Sequence, residues 1–187
     1  MTAPQTAFAQ AADPAAAAVQ SIENGLLGIM RAGGSAGMSG RSRMIAPAID
    51  RYFDIPLMTR LSVGPRWTQM GASDQSALVS AFRAYTIAQY AKNFDGYSGE
   101  RFVILPQIET RGADKLVRTN LVSPGGKSES LNYRLRQNGG QWKVIDVYYR
   151  NAISQLATRR ADFDRVLKTG GASALVAHLN RLAARPD

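Results

Sequence analysis

Cysteine is absent from the 187-residue chain, which excludes disulfides and thiolate metal sites and leaves the redox compartment open. Histidine is nearly as scarce. His178 stands alone on the last predicted helix, so a transition-metal centre lacks ligands, carboxylates by themselves suiting hard ions. No apolar run approaches the roughly 18 to 20 residues that a membrane-spanning helix needs. Basic runs are missing too: Arg159-Arg160 is the only adjacent pair of cations, and no strand carries the basic-aromatic pattern of single-strand RNA readers. No nucleic-acid partner is therefore expected. The loop GGSAGMSG after the first helix has no Gly-Lys-Ser/Thr, which argues against a phosphate cradle. No Gly-x-Ser-x-Gly elbow is read in the chain, so serine-hydrolase chemistry is not expected either. Neither metal nor cofactor is predicted.

What the chain does have is positive charge and apolar periodicity. A net charge of +9 suits either a solvated cationic surface or transient contact with anionic headgroups. The 45% hydrophobic fraction is ordinary for a globular protein, and a chain of this length buries roughly 70% of its unfolded surface. Met1 to Ala12, with Ala7-Phe8-Ala9 before Gln10, reads as a signal-peptide remnant or an Ala-rich arm. Residues 13–187 are expected to form one domain.

Asp13-Pro14 opens a helix in which Val19, Ile22, Leu26, Ile29 and Met30 recur at helical spacing, up to Gly33-Gly34. A second helix is predicted over 41–53, bent at Pro47. Asp54 caps a short third, and a long one runs from Ser73 or Asp74 to Asn93. From Arg101 the period changes to two. Segments 101–109, 115–123, 128–137 and 141–149 read as four strands, whose short Gly-rich links demand antiparallel neighbours. Two more helices, near 153–168 and 173–184, flank Thr169-Gly170-Gly171. The expectation is α+β: a four-stranded, curved antiparallel sheet, with a helical lobe (13–98 and 150–185) packed on the sheet (101–149) around an apolar hollow.

The residues placed to line such a hollow fall into three groups. Before the sheet are Phe53, Met58, Leu61, Trp67, Phe82 and Tyr85. On the strands are Val103, Leu105, Val117, Leu121, Leu131, Tyr133, Leu135, Ile145, Val147 and Tyr149. After it come Ile153, Leu156 and Phe163. Some of these are core by default, because periodicity does not separate a lined cavity from a filled one. An alternative uses Asp146 beside Tyr133, Tyr148 and Tyr149 as an isomerase-type base in an apolar cone.

Several pieces occur in the order and spacing of a known family. They are Phe53-Asp54 with Met58, Trp67, Phe82, Tyr90-Ala91, Tyr97-Ser98-Gly99-Glu100, Tyr133-Arg134-Leu135, Trp142 to Val147, Ser154 with Arg160 and Phe163, and the helix 175–182. Over residues 43–182 the chain resembles the MlaC-like periplasmic lipid-binding proteins of the Mla and toluene-tolerance systems. Asn151-Ala152-Ile153-Ser154 and Thr158-Arg159-Arg160 depart from the usual motifs and look closer to the hopanoid-associated, HpnM-like branch. The resemblance implies an NTF2-like cone, a periplasmic monomer and a phospholipid or hopanoid ligand. It also implies hand-off between an inner-membrane transporter and an outer-membrane acceptor complex, without enzymatic activity. A basic rim is expected to hold the headgroup.

Overall fold

The computed structural model describes residues 13–150 and 152–185, so the reading of the N-terminal segment 1–12 lies outside the described residues. Helix α1 spans Pro14–Tyr52, α2 Ile55–Val63, α3 Ala72–Asn93 and α4 Gln155–Ala183, with a 3-10 turn over Gly64–Gln69. Seven strands intervene: β1 Arg101–Ile104, β2 Glu109–Arg111, β3 Asp114–Val117, β4 Thr119–Val122, β5 Ser128–Asn138, β6 Gln141–Tyr149 and β7 Ile153–Ser154.

Asp13 and Asp54 cap their helices as the sequence places them, whereas the expected cap at Ser73 or Asp74 is corrected: α3 starts at Ala72 after Gly71, with no side-chain cap. Asp13 accepts from Ala15 N at 2.8 Å with Pro14 at the first helical position. Gly33 (φ 54°) and Gly37 (φ 59°) break α1, as left-handed backbone favours glycine. Pro47 stays within helical backbone, so the interruption lies at the glycines and not at the proline. Gly171 (φ 65°) likewise divides α4. Among the described residues, no helix is long and apolar enough to cross a membrane.

Where the sequence predicts four strands, the sheet has seven, all antiparallel. The first predicted strand is cut between β1 and β2 around Pro106, which has no N–H to give a ladder. The second is interrupted at Arg118, whose carbonyl accepts from Leu105 N at 2.9 Å. β4 and β3 lie in succession along one edge of β5, with β1 and β2 outside them; β6 and then β7 follow on the other edge. Gly139 (φ 58°) and Gly140 (φ 79°) form the two-residue β5–β6 turn. Register puts Val117 opposite Tyr133 and Tyr133 opposite Val147, with Leu135 facing Val144 and Leu131 facing Tyr149. That face forms the core with α1, α2, α3 and α4. The junction of α1 and α2 is tied to the sheet where Asp54 N donates to Val144 O at 2.9 Å.

Candidate functional site

The inner sheet face and the helices meet in a filled layer. Phe53, Met58, Phe82, Val117, Tyr133, Leu135, Val147 and Phe163 are all buried in one cluster. Aromatic edges lock it: Phe82 and Phe163 stand 6.1 Å apart at 86°, and Phe53 and Tyr90 5.5 Å apart at 76°. Ile145 is buried as well, at the bulge between Arg134 and Leu135. The predicted hollow is therefore packed with side chains over most of its length.

It opens at one end. A cleft of about 520 Å³ lies between the C-terminal end of α3 and strands β4, β5 and β6, with Met30, Phe94, Leu121, Leu131 and Tyr149 as apolar floor. Its rim is Asn93, Asp95, Tyr97, Ser98, Glu100, Glu129 and Ser130. The expected basic rim is thus corrected: these lining residues bring three carboxylates and no cation. Cations stand just behind, Arg31 at 5.2 Å over the Tyr97 ring and Lys127 at 3.5 Å from Glu129. Arg159 is buried near the cleft; it donates to Gln89 Oε1 at 2.9 Å, lies over Phe82 and Tyr85, and has an Nε with no partner.

The candidate residues thus scatter. Leu121, Leu131 and Tyr149 meet at the cleft. Trp67 lies instead on a groove with Asp54, Pro56, Leu57 and Arg60. Leu61, Tyr85 and Leu156 are half-buried outside the cleft, and Ile153 is 51% exposed at the sheet edge. Val103 and Leu105 do not join the inner face. Val103 pairs with Asn120, and Leu105 lines a 420 Å³ groove on the outer face with Leu116, Asn120, Asn132 and Tyr148. Alternation identifies the two faces of an edge strand without saying which is covered. On that outer face Asp114 receives Arg136 Nε at 2.5 Å and Arg134 Nε at 2.7 Å. Burial alone would raise its carboxyl, but those bonds outweigh it and hold Asp114 below the ordinary range.

The isomerase alternative fails on geometry. Asp146 Oδ1 accepts from Val147 N at 2.8 Å and Leu156 N at 2.9 Å, and Oδ2 from Ser154 Oγ at 2.6 Å. Its carboxylate fastens the start of α4 to β6 and lines none of the clefts described. A second correction concerns serine. Gly33-Gly34-Ser35-Ala36-Gly37 does spell Gly-x-Ser-x-Gly, yet it sits in the break of α1, where Ser35 Oγ donates to Ala32 O at 2.7 Å. A strand-to-helix elbow is not formed there.

The sequence reading missed a buried polar set. Glu23 is fully buried and neither carboxyl oxygen has a hydrogen-bond partner; the Tyr133 hydroxyl is buried without one as well. Burial pushes the Glu23 carboxyl up to about 7, against the opposing influence of the adjacent Thr119 hydroxyl. A glutamate amid Ile22 and Leu26 on an apolar helix face was the available signal.

A curved antiparallel sheet, covered by helices on one face and opening into a cleft at the end of that seam, is an architecture of the α+β class. The MlaC protein family model matches residues 20–181, and the chain belongs to that family. A similar fold occurs in the phospholipid-binding protein of Ralstonia solanacearum, solved in complex with a phospholipid: the TM-score is 0.75 and the identity 22%, over 92% of this chain and 98% of that one. No curated protein sequence matches the chain significantly.

Proposed function

We propose that this protein is a periplasmic lipid carrier. In this reading residues 13–187 form one cone-like lipid-binding domain that takes up hydrocarbon between the sheet and its helices. The protein works as a soluble monomer, touches membranes transiently, and passes a phospholipid or hopanoid between inner- and outer-membrane transport complexes. One observation carries the reading: the apolar floor of the cleft is the same inner sheet face that the helices cover farther in. Family membership supports it, as does the phospholipid held by the Ralstonia protein of the same fold.

Magnitudes say how the site must work. If a methylene takes about the ~30 Å³ of a liquid water, two 16-carbon tails need on the order of 1,000 Å³. The cleft offers about 520 Å³, so full uptake requires sheet and helices to part. Removing such tails from water is worth about 25 kcal/mol at ~0.8 kcal/mol per methylene. A loss of that size exceeds the whole roughly 5–15 kcal/mol stability of a domain, so tails once seated between the layers leave only to another apolar phase. Against a bilayer, where tails are equally dry, the net driving force is small, which suits a carrier that must also release. In this reading Arg159, a buried cation whose Nε has no partner, is the group that a headgroup phosphate reaches once the layers part.

Mass spectrometry of an organic extract of the purified protein tests this. A stoichiometric lipid is expected, and Leu121→Arg, at the half-buried cleft floor, should lose it while keeping a cooperative melt. A wild-type extract free of lipid, together with no uptake from vesicles, would sink the proposal.

A further inference from the structure

The cleft floor and the buried polar set lie along the same three elements. On α1, Met30 lines the cleft. Glu23 stands seven residues earlier on the same helix face, about 10 Å deeper along the axis. On β4, Thr119 lies two residues in from the cleft residue Leu121; on β5, Tyr133 lies two in from Leu131. A spacing of two keeps each pair on one sheet face. Each element therefore repeats an apolar side chain at the floor with a polar one behind it.

Those polar groups retain hydrogen-bonding capacity. Both Glu23 oxygens and the Tyr133 hydroxyl are buried without a partner. Thr119 Oγ1, against Glu23, donates its proton to Leu131 O at 2.6 Å and keeps its lone pairs. Buried polar atoms are nearly always paired, so an unpaired group in a seam that has to open for cargo is a contact surface for that cargo. The charged or titratable groups that act on Tyr133 are Tyr90, Glu23 and Tyr149, none of them a cation.

We propose that Glu23, Thr119 and Tyr133 form a seat for a hydroxyl, or another neutral hydrogen-bonding group, carried on the hydrocarbon body of the ligand. The preferred cargo is then an oxygenated lipid rather than one with bare tails. The inference rests on the carrier reading and adds its selectivity. The Tyr133 hydroxyl donates to the seated group, and the Glu23 and Thr119 oxygens accept.

The test uses vesicles containing two phosphatidylcholines in equal amounts, alike except that one has an oleoyl chain and the other a 12-hydroxyoleoyl chain. Protein is re-isolated and its lipid quantified by mass spectrometry. Wild type should load the hydroxylated lipid with roughly tenfold preference. Tyr133→Phe, which removes one oxygen, and Glu23→Leu should reduce that preference toward unity. If Glu23→Leu fails to fold, Tyr133→Phe decides alone. Equal loading of both lipids by wild type overturns the seat and leaves the carrier standing. Loading of neither overturns the carrier reading itself. A preference undiminished in the folded variants removes these residues from the seat.

Discussion

Two buried carboxyls show how differently one functional group is used. Asp146 accepts from two backbone amides and the Ser154 hydroxyl. Asp146→Ala should therefore lower unfolding stability by about 2–4 kcal/mol, read by urea titration. Asp146→Asn, which retains an acceptor, should cost less and should load lipid normally. Glu23 is the opposite case, because burial favours its neutral form and raises it from 4.5 to about 7. Below pH 4.5 the carboxyl is protonated in folded and unfolded chains alike, and its contribution is complete. As pH rises toward 7 the unfolded chain ionises first, so this stability drains away and stays lost above. In Glu23→Gln the gap from wild type should shift by about 3 kcal/mol in the variant's favour between pH 4.5 and 8. Asp114, Asp13 and Asp50 are held low, so their contributions fall away only at acid pH, below the ordinary aspartate value of 3.8, and do not overlap that window.

Among the elements, the break in α1 depends on one long-range clasp. Arg41 is 1% exposed. It donates from Nε to Ala91 O at 2.8 Å and from a terminal nitrogen to Gly33 O at 2.9 Å, joining both halves of α1 to the end of α3. Arg41→Met keeps the apolar stem and removes the donors. It should cost about 2–3 kcal/mol, seen as a fall in Tm of roughly 5–10 °C. Nothing local in the sequence points to this role, because Arg41 and Ala91 are fifty residues apart. Local signals were legible: Asp13-Pro14, the glycine breaks, the Gly139-Gly140 hairpin and the Leu131, Tyr133, Leu135 alternation all act as read. The splitting of strands at Pro106 and Arg118 was not, nor was the outward face of Val103 and Leu105. Both depend on which neighbour covers an edge strand, and that is a tertiary fact.

At the scale of the whole molecule, periodicity told which faces are dry but not whether two dry faces touch. Tyr133, Leu135 and Phe163 have the same pattern whether they line a void or fill one, and here they fill it. If the carrier reading holds, the closed seam and an opened, loaded form are two states of one chain, and the lipid shifts their populations by binding only one. The absence of cysteine makes this measurable, since a single introduced thiol is the only one present. Leu121→Cys puts that thiol on the half-buried cleft floor. It should react readily with a small maleimide in delipidated protein and become at least tenfold slower once phospholipid vesicles have loaded the site. Ser173→Cys, at an exposed position on α4, is the control and should label at the same rate in both. Equal protection at both positions would mean that the vesicle surface shields the whole protein. Protection at Leu121 alone places the hydrocarbon in the cleft.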